Sequence, residues 1–271
     1  MPSVEQQEMM RSLEPLQSIT VVQSRRGCFQ EMMGCEAPTE FHYYGGTQEG
    51  QRVSATKGNE IFDSLEESGC RLRTICAPNH KFRMPISTHM EGEGVSGTEI
   101  LSIDRPCKLP PGVCKCCCYQ KVDVHSGGVY LGKVEEQFSC CVPKYMAFDK
   151  NDNAVYKMQQ PTCVGGFCVD ICAEGNPCGR GCCKVPFHLF PASNASSLYP
   201  SSDASPSGKI LKEKASNLDE LFTDSQIFKI TFPEKAGAEE KGLLLGATVL
   251  INANFFERGP CGGPCDHATA Y

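Results

Sequence analysis

Four cysteines in one short stretch are the residues of this sequence best suited to chemistry: Cys114, Cys116, Cys117 and Cys118. Adjacent thiols in an exposed loop can each accept an acyl chain, and two or more chains hold a protein at a membrane far more stably than one. The alternatives are inert thiols or a zinc site, the latter because Cys114 and Cys117 have C-x2-C spacing and Cys107 or Cys140 could complete the ligand set. Three consecutive cysteines fit a tetrahedral site poorly, which favours acylation.

Six more cysteines lie between Cys163 and Cys183. Their spacing is not that of a standard zinc module, so a plain loop, a structural metal site and acylation all remain open. The chain has 19 cysteines, an odd number, and residues 1–30 contain no apolar signal core. These features predict a protein that is not secreted and whose thiols stay reduced.

Other kinds of chemistry find little support in the sequence. None of the six histidines stands in an H-E-x-x-H or similar frame, and the glycine-rich stretches lack the lysine of a phosphate-binding loop. We therefore expect neither a hydrolytic nor a redox enzyme. The net charge of −6 argues against a nucleic-acid partner held by a global positive field.

Short apolar runs separated by turns fill most of the 271 residues. Runs such as 121–124, 129–134 and 144–148 are rich in Val, Tyr and Phe and are bounded by Gly, Asn and Asp, which is typical of antiparallel strands. Residues 191–208 are rich in Ser and Pro and predict an exposed loop. The fold class expected from these patterns is mainly β.

One long apolar segment, residues 242–256, stands apart from these short runs. Its length as a helix is about 22 Å, whereas a bilayer core is about 30 Å thick, and Asn252 and Asn254 would be costly in lipid. It is apolar on every side, so we expect a helix enclosed by protein, with a membrane span as the alternative. The residues that would form its apolar surface are Leu243, Leu244, Leu245, Val249, Leu250, Ile251, Phe255 and Phe256.

Several of these landmarks occur together in an order that resembles the phospholipid scramblases, over about residues 57–259. They are Phe82-Arg83-Met84 with Arg105-Pro106-Cys107, the cluster at 114–118, Gly132-Lys133-Val134, Cys141-Val142-Pro143-Lys144-Tyr145, Leu221-Phe222-Thr223-Asp224 and Phe255-Phe256-Glu257. The resemblance implies a closed antiparallel barrel of about twelve strands around one hydrophobic C-terminal helix, similar to tubby proteins. It divides the chain into a mobile segment 1–56 with first strands, a barrel domain 57–259 and a Cys/Gly tail 260–271.

The resemblance also implies a function: ATP-independent, bidirectional movement of phospholipids across a membrane. The matching cysteine cluster of the family carries palmitate, which would place this chain at the cytoplasmic face of the plasma membrane. With at most one span, one copy has no evident polar track for a headgroup, and a homo-oligomer would ease this difficulty. The rival interpretation is an intracellular lipid- or metal-binding regulatory module that transports nothing.

Calcium is the cofactor that the resemblance suggests, through acidic residues placed before the helix. Calcium takes six to eight oxygen ligands, several of them carboxylates. Here only Asp224 keeps a carboxylate at a matching position, while Gln226 and Lys235 replace acids and Lys229 would repel a cation. The sequence therefore predicts weak calcium binding at most.

Overall fold

The computed structural model describes residues 2–24, 38–46, 60–69, 80–89, 97–108, 119–138, 143–160, 184–192, 205–214 and 226–256. Two helices and a π-helical turn occur in these ranges: α1 Val4–Leu13, α2 Ala238–Ile251 and the turn Asn252–Phe256. The strands are β1 Ser18–Ser24, β2 Glu40–Gly45, β3 Glu60–Leu65, β4 Phe82–Thr88, β5 Glu99–Arg105, β6 Lys121–Ser126, β7 Val129–Gln137, β8 Lys144–Asp149, β9 Ala154–Gln159, β10 Lys184–Pro191, β11 Gly208–Lys214 and β12 Gln226–Thr231.

The twelve strands form one closed antiparallel barrel. Each strand pairs with its neighbours in sequence, and β1 closes the ring by pairing with β12 as well as with β2. Closure leaves no sheet edge exposed, which explains how so many short strands stay together. The structure thus confirms the predicted fold class.

Strand alternation decides which side chains enter the barrel. In β6, Val122 and Val124 are fully buried, whereas Lys121 and Asp123 are partly exposed on the outside. Successive side chains of a strand point to opposite faces, so the period-two pattern of the sequence directly gives the inner and outer surfaces.

Helix α2 fills the barrel, as the all-round apolar segment predicted. Every residue from 241 to 251 is buried, and the helix packs closely on β6, because a Cβ at Gly246 would lie 2.7 Å from Val124 Cγ2. The helix begins at Ala238, one turn earlier than the sequence indicated. Glu239 and Glu240 occupy that first turn, where carboxylates interact favourably with the helix dipole.

The barrel has two mouths, which α2 distinguishes. At the N-terminal mouth β12 ends and α2 begins. The C-terminal mouth is the end of the barrel where α2 ends. Every odd-numbered strand ends at this mouth, and every even-numbered strand begins there.

Helix α1 lies across the N-terminal mouth, although the sequence placed its residues in a segment expected to be mobile. Ser3 and Gln6 form a reciprocal capping box, and Leu13 is fully buried. The Lys241 ammonium donates to the carbonyl oxygens of Leu13 at 3.3 Å and Glu14 at 2.7 Å, and burial lowers the pKa of Lys241. The largely polar sequence of α1 did not predict this helix, which buries Met9 and Leu13 against the barrel and α2.

Candidate functional site: a buried polar collar at the C-terminal mouth

Polar side chains from β1 to β8 form a partial ring inside the C-terminal mouth, which we call the polar collar. One residue comes from each of β1 to β8 or from within two positions of the strand, and all are less than a tenth exposed. The collar consists of Gln23, Thr39, Glu66, His80, Arg105, Gln120, Glu136 and Tyr145. Seven of the eight stand two positions from an inward-facing apolar residue of their strand, and Glu66 stands two positions from the buried Ser64. Strand alternation itself therefore turns these polar groups inward.

Arg105 joins the collar to the end of α2. Its guanidinium Nη2 donates to Gln120 Oε1 at 3.2 Å and to Asn254 Oδ1 at 3.1 Å, and its Cζ lies 5.7 Å from the centre of the Phe82 ring. Asn254 in turn donates through Nδ2 to the hydroxyl of Tyr145 at 3.2 Å. A cation that is 1% exposed therefore holds the last turn of the central helix by charge-assisted hydrogen bonds.

A second polar network is centred on Glu66, and its His80 ring lies 5.8 Å from the ring of Phe82. Glu66 accepts hydrogen bonds from His80 Nε2 at 2.8 Å, from the backbone N–H of Thr39 at 3.1 Å and from the Ser68 hydroxyl. Burial opposes the ionised form of Glu66, but these donors outweigh burial, so its pKa is lowered. The carboxylate thereby ties β2, β3 and the start of β4 together.

Tyr145 and Glu136 complete the collar beside β7 and β8. Tyr145 is fully buried, and desolvation together with the nearby Glu136 raises its pKa well above the ordinary value. The phenol consequently stays neutral and can accept the hydrogen bond from Asn254. Glu136 Oε2 lies 3.4 Å from the backbone N–H of Gln120, so the carboxylate also supports the Arg105 side of the ring.

The collar also carries buried polar atoms without a hydrogen-bond partner in the described part of the chain. They are Gln23 Oε1, His80 Nδ1, Gln120 Nε2 and, on the helix, Asn252 Oδ1. Below this ring the described inward-facing side chains are largely aliphatic or aromatic, and α2 fills the space between them. The collar can thus hold the helix end and present polar groups at the mouth, but it does not continue into a polar route through the barrel.

Comparison with known proteins identifies the family to which the chain belongs. The family model described as Scramblase matches residues 46–172 and 198–258, which is more than half of the chain. The chain belongs to the scramblase family.

Curated relatives agree with this scramblase assignment. Phospholipid scramblase 2 of Bos taurus is 27% identical over 206 residues, covering 76% of this chain and 60% of the relative. Human phospholipid scramblase 1 is 26% identical over 201 residues, covering 74% and 54%, and human phospholipid scramblase family member 5 is 24% identical over 234 residues, covering 86% and 73%. The chain thus spans between about half and three fifths of the length of scramblases 1 and 2. No solved structure matches the chain.

The scramblase match begins after β2, although the barrel requires β1 and β2 for closure. β1 pairs with β12, which belongs to the matched region, and β2 pairs with β3. The structural unit therefore begins before the matched region does.

The predicted acylation cluster, Cys114 to Cys118, lies outside the described residues, but both flanks are described. Lys108 follows β5 and Tyr119 precedes β6, and Lys108 Nζ donates to the Tyr119 carbonyl oxygen at 2.5 Å. The connection that carries the cluster therefore begins and ends at the C-terminal mouth. Cys107, on the same connection, is exposed and has no disulfide.

The 19 cysteines of the sequence follow a pattern that the strand order makes visible. In sequence, each belongs to a connection between strands that end and begin at the C-terminal mouth, or to the tail that follows α2. The connections at the N-terminal mouth contain no cysteine in their sequences. The described strand ends that flank the cysteine-bearing connections therefore all lie at the C-terminal mouth.

The remaining predicted site residues are only partly tested. Asp224 lies outside the described residues, and among those described no three His, Cys, Asp or Glu side chains are arranged to hold a metal ion. Leu243, Leu244, Leu245, Val249, Leu250 and Ile251 are all buried. Phe255 and Phe256 end the π-helical turn, and their side chains lie outside the described set. In the described part of the chain no helix is long and apolar enough to cross a bilayer.

Proposed function

We propose that this chain is a phospholipid-handling protein of the scramblase type, which moves phospholipids in both directions between leaflets without ATP. The observation that carries this proposal is the family match, which covers β3 to β9, β11, β12 and α2. The names of the matched relatives, phospholipid scramblases 1 and 2, support phospholipids as the substrate class.

The route of the lipid follows from what fills the barrel. A charged headgroup crosses hydrocarbon readily only along a polar path. Because α2 and the inward-facing apolar side chains occupy the interior, we place this path outside the barrel, on its surface or between copies in a homo-oligomer.

Attachment to the membrane would come from acyl chains on Cys114, Cys116, Cys117 and Cys118. Two or more chains give stable attachment. The hydrogen bond between Lys108 and Tyr119 supports this assignment, since it fixes the two ends of the cysteine-bearing connection beside each other. We place the attached protein at the cytoplasmic face of the plasma membrane and expect calcium, with Asp224 as its one matching carboxylate, to have a weak influence.

Reconstitution tests the transport activity. Purified protein in liposomes should make fluorescent inner-leaflet phospholipid accessible to dithionite, without ATP. A reduction rate equal to that of protein-free liposomes, with and without calcium, would reject transport.

Hydroxylamine-sensitive palmitate labelling in cells tests the attachment. Replacement of the four clustered cysteines by Ser should abolish labelling and release the protein from membranes. Cys107→Ser is the matched control, because Cys107 is exposed on the same connection. Unchanged labelling of the fourfold variant would place the acyl chains elsewhere.

The alternative function is a lipid- or metal-binding regulatory module without transport. It is favoured by the burial of α2, which leaves a single copy with no polar route through its interior. Retained vesicle binding without any scrambling would support this alternative.

A further inference from the structure

Charge is distributed unevenly between the two mouths of the barrel. At the C-terminal mouth, β6, β8 and β10 each begin on a lysine, at Lys121, Lys144 and Lys184, and Lys81 directly precedes β4. Lys81 is exposed and Lys121 is partly exposed beside Asp123, at 3.1 Å. Lysines thus recur around the rim of this mouth.

Two acids of the C-terminal mouth are withdrawn from its surface, and a third is exposed but paired. Glu66 and Glu136 lie buried in the polar collar, and Glu67 forms an ion pair with Arg83 at 3.0 Å. The N-terminal mouth has the opposite character, with acids at the strand ends, before α2 and in its first turn. These acids include Glu60, Glu99, Asp149, Glu234, Glu239 and Glu240.

Both mouths also expose apolar side chains. Phe138, just after β7, is 59% exposed at the C-terminal mouth, and Leu65 at the end of β3 is 41% exposed. Val129 at the N-terminal mouth is 47% exposed. Exposed apolar groups alone therefore do not distinguish the two ends. Lysines occur at both, but at the N-terminal mouth they stand among acids, as where Lys150 lies 3.7 Å from Glu239.

We propose that the C-terminal mouth is the face that docks on an anionic phospholipid surface, with the rim lysines meeting the headgroups and Phe138 entering the interface. Lysines near an anionic leaflet each strengthen binding roughly fivefold, and aromatic side chains favour the headgroup level. The inference rests on the proposed function for its membrane, and it adds the orientation of the barrel and the charge of the lipid. Acyl chains on the cysteine-bearing connections would enter the bilayer at this same end.

Vesicle co-sedimentation of the full, non-acylated chain isolates this docking from the acyl anchors. The chain should bind phosphatidylcholine vesicles that contain phosphatidylserine and bind vesicles of phosphatidylcholine alone weakly. The triple variant Lys81→Gln, Lys121→Gln, Lys144→Gln should lose at least roughly tenfold in affinity, since three lysines contribute up to about a hundredfold.

The N-terminal mouth provides a control with the same change of charge: Arg11→Gln, Lys150→Gln, Lys235→Gln. This variant should bind as the unchanged chain does. Likewise Phe138→Ser should weaken binding while Val129→Ser should not, and circular dichroism verifies that all four variants are folded.

Three results would overturn the docking proposal: equal losses for the two triple variants, binding that does not depend on phosphatidylserine, or tighter binding to heparin than to the vesicles. Scrambling measured in the same vesicles separates the two proposals. Binding that follows the rim lysines without any scrambling rejects the transport function and leaves the docking face, whereas scrambling with no dependence on these lysines rejects the docking face alone.

Discussion

Removal of the Arg105 guanidinium is the sharpest test of the polar collar. Arg105→Met keeps much of the side-chain length but deletes both hydrogen bonds, at 3.2 Å to Gln120 and 3.1 Å to Asn254. The buried Gln120 oxygen and the partly buried Asn254 oxygen then lose their donor at about 1–3 kcal/mol each, and the cation–π contact with Phe82 is lost as well. We expect a loss of about 3–5 kcal/mol in the free energy of unfolding, a large share of the stability of an ordinary domain.

Urea unfolding under reducing conditions measures this loss. Arg105→Lys is the matched variant, because it keeps the charge but lacks the planar fork that reaches two acceptors at once. It should recover only part of the stability. The double variant with Asn254→Ala should show a coupling of about 0.5–3 kcal/mol, because the two side chains share one hydrogen bond.

Hydrogen exchange provides a readout that general destabilisation would not imitate. In Arg105→Met the amides of residues 252–254 should exchange faster than those in the middle of α2, because only the helix end loses its attachment. A loss of less than about 1 kcal/mol, or faster exchange spread evenly along the helix, would refute the role assigned to Arg105.

Three further predictions concern the barrel itself. Gly246→Val should cost several kcal/mol in urea unfolding, because even a Cβ would lie 2.7 Å from Val124 Cγ2, while Gly237→Val, where a Cβ meets nothing within 4 Å, should cost far less. Glu66→Gln should destabilise the chain near neutral pH but not in acid. Because the pKa of Glu66 is lowered, the carboxylate stabilises the fold above its ordinary pKa of about 4.3, and this stabilisation disappears as the pH falls through the lowered value. Urea unfolding midpoints measured across pH will test this. Deletion of residues 1–46 removes β1 and β2 and should abolish the near-ultraviolet circular dichroism signal; a cooperative unfolding transition in that fragment would show that closure is dispensable.

The strands and the central helix were predictable because their patterns are local. The runs at 121–124, 129–134 and 144–148 fall within β6, β7 and β8, since alternation of apolar side chains is a property of a few neighbouring residues. The apolar segment likewise predicted an enclosed helix. Helix α1 was not predicted, because its polar sequence shows little apolar period and its docking depends on Lys241, more than two hundred residues away.

The polar collar could not be found in the same way. His80, Arg105 and Gln120 are separated along the chain and each looks like an ordinary polar residue beside a turn. Only closure of the barrel, with its fixed register, brings them to one level and turns them inward. A signal was present nevertheless: each stands two positions from an inward-facing apolar residue, at the point where alternation predicts another buried side chain.

The polar collar and Lys241 together fix the position of α2 inside the barrel. A helix that is apolar on every side packs in its barrel through contacts that have little directionality, so they fix neither its rotation nor its position along the axis strongly. Directional bonds exist at both ends: Lys241 donates to the last carbonyl groups of α1, and Arg105 and Tyr145 hold Asn254. These buried polar groups provide the register that apolar packing lacks, a role for which buried polar residues are best attested. The same arrangement places the attachment of the helix end among the strand ends that carry the cysteine-bearing connections, so a change at the C-terminal mouth acts first on the polar bonds that hold α2.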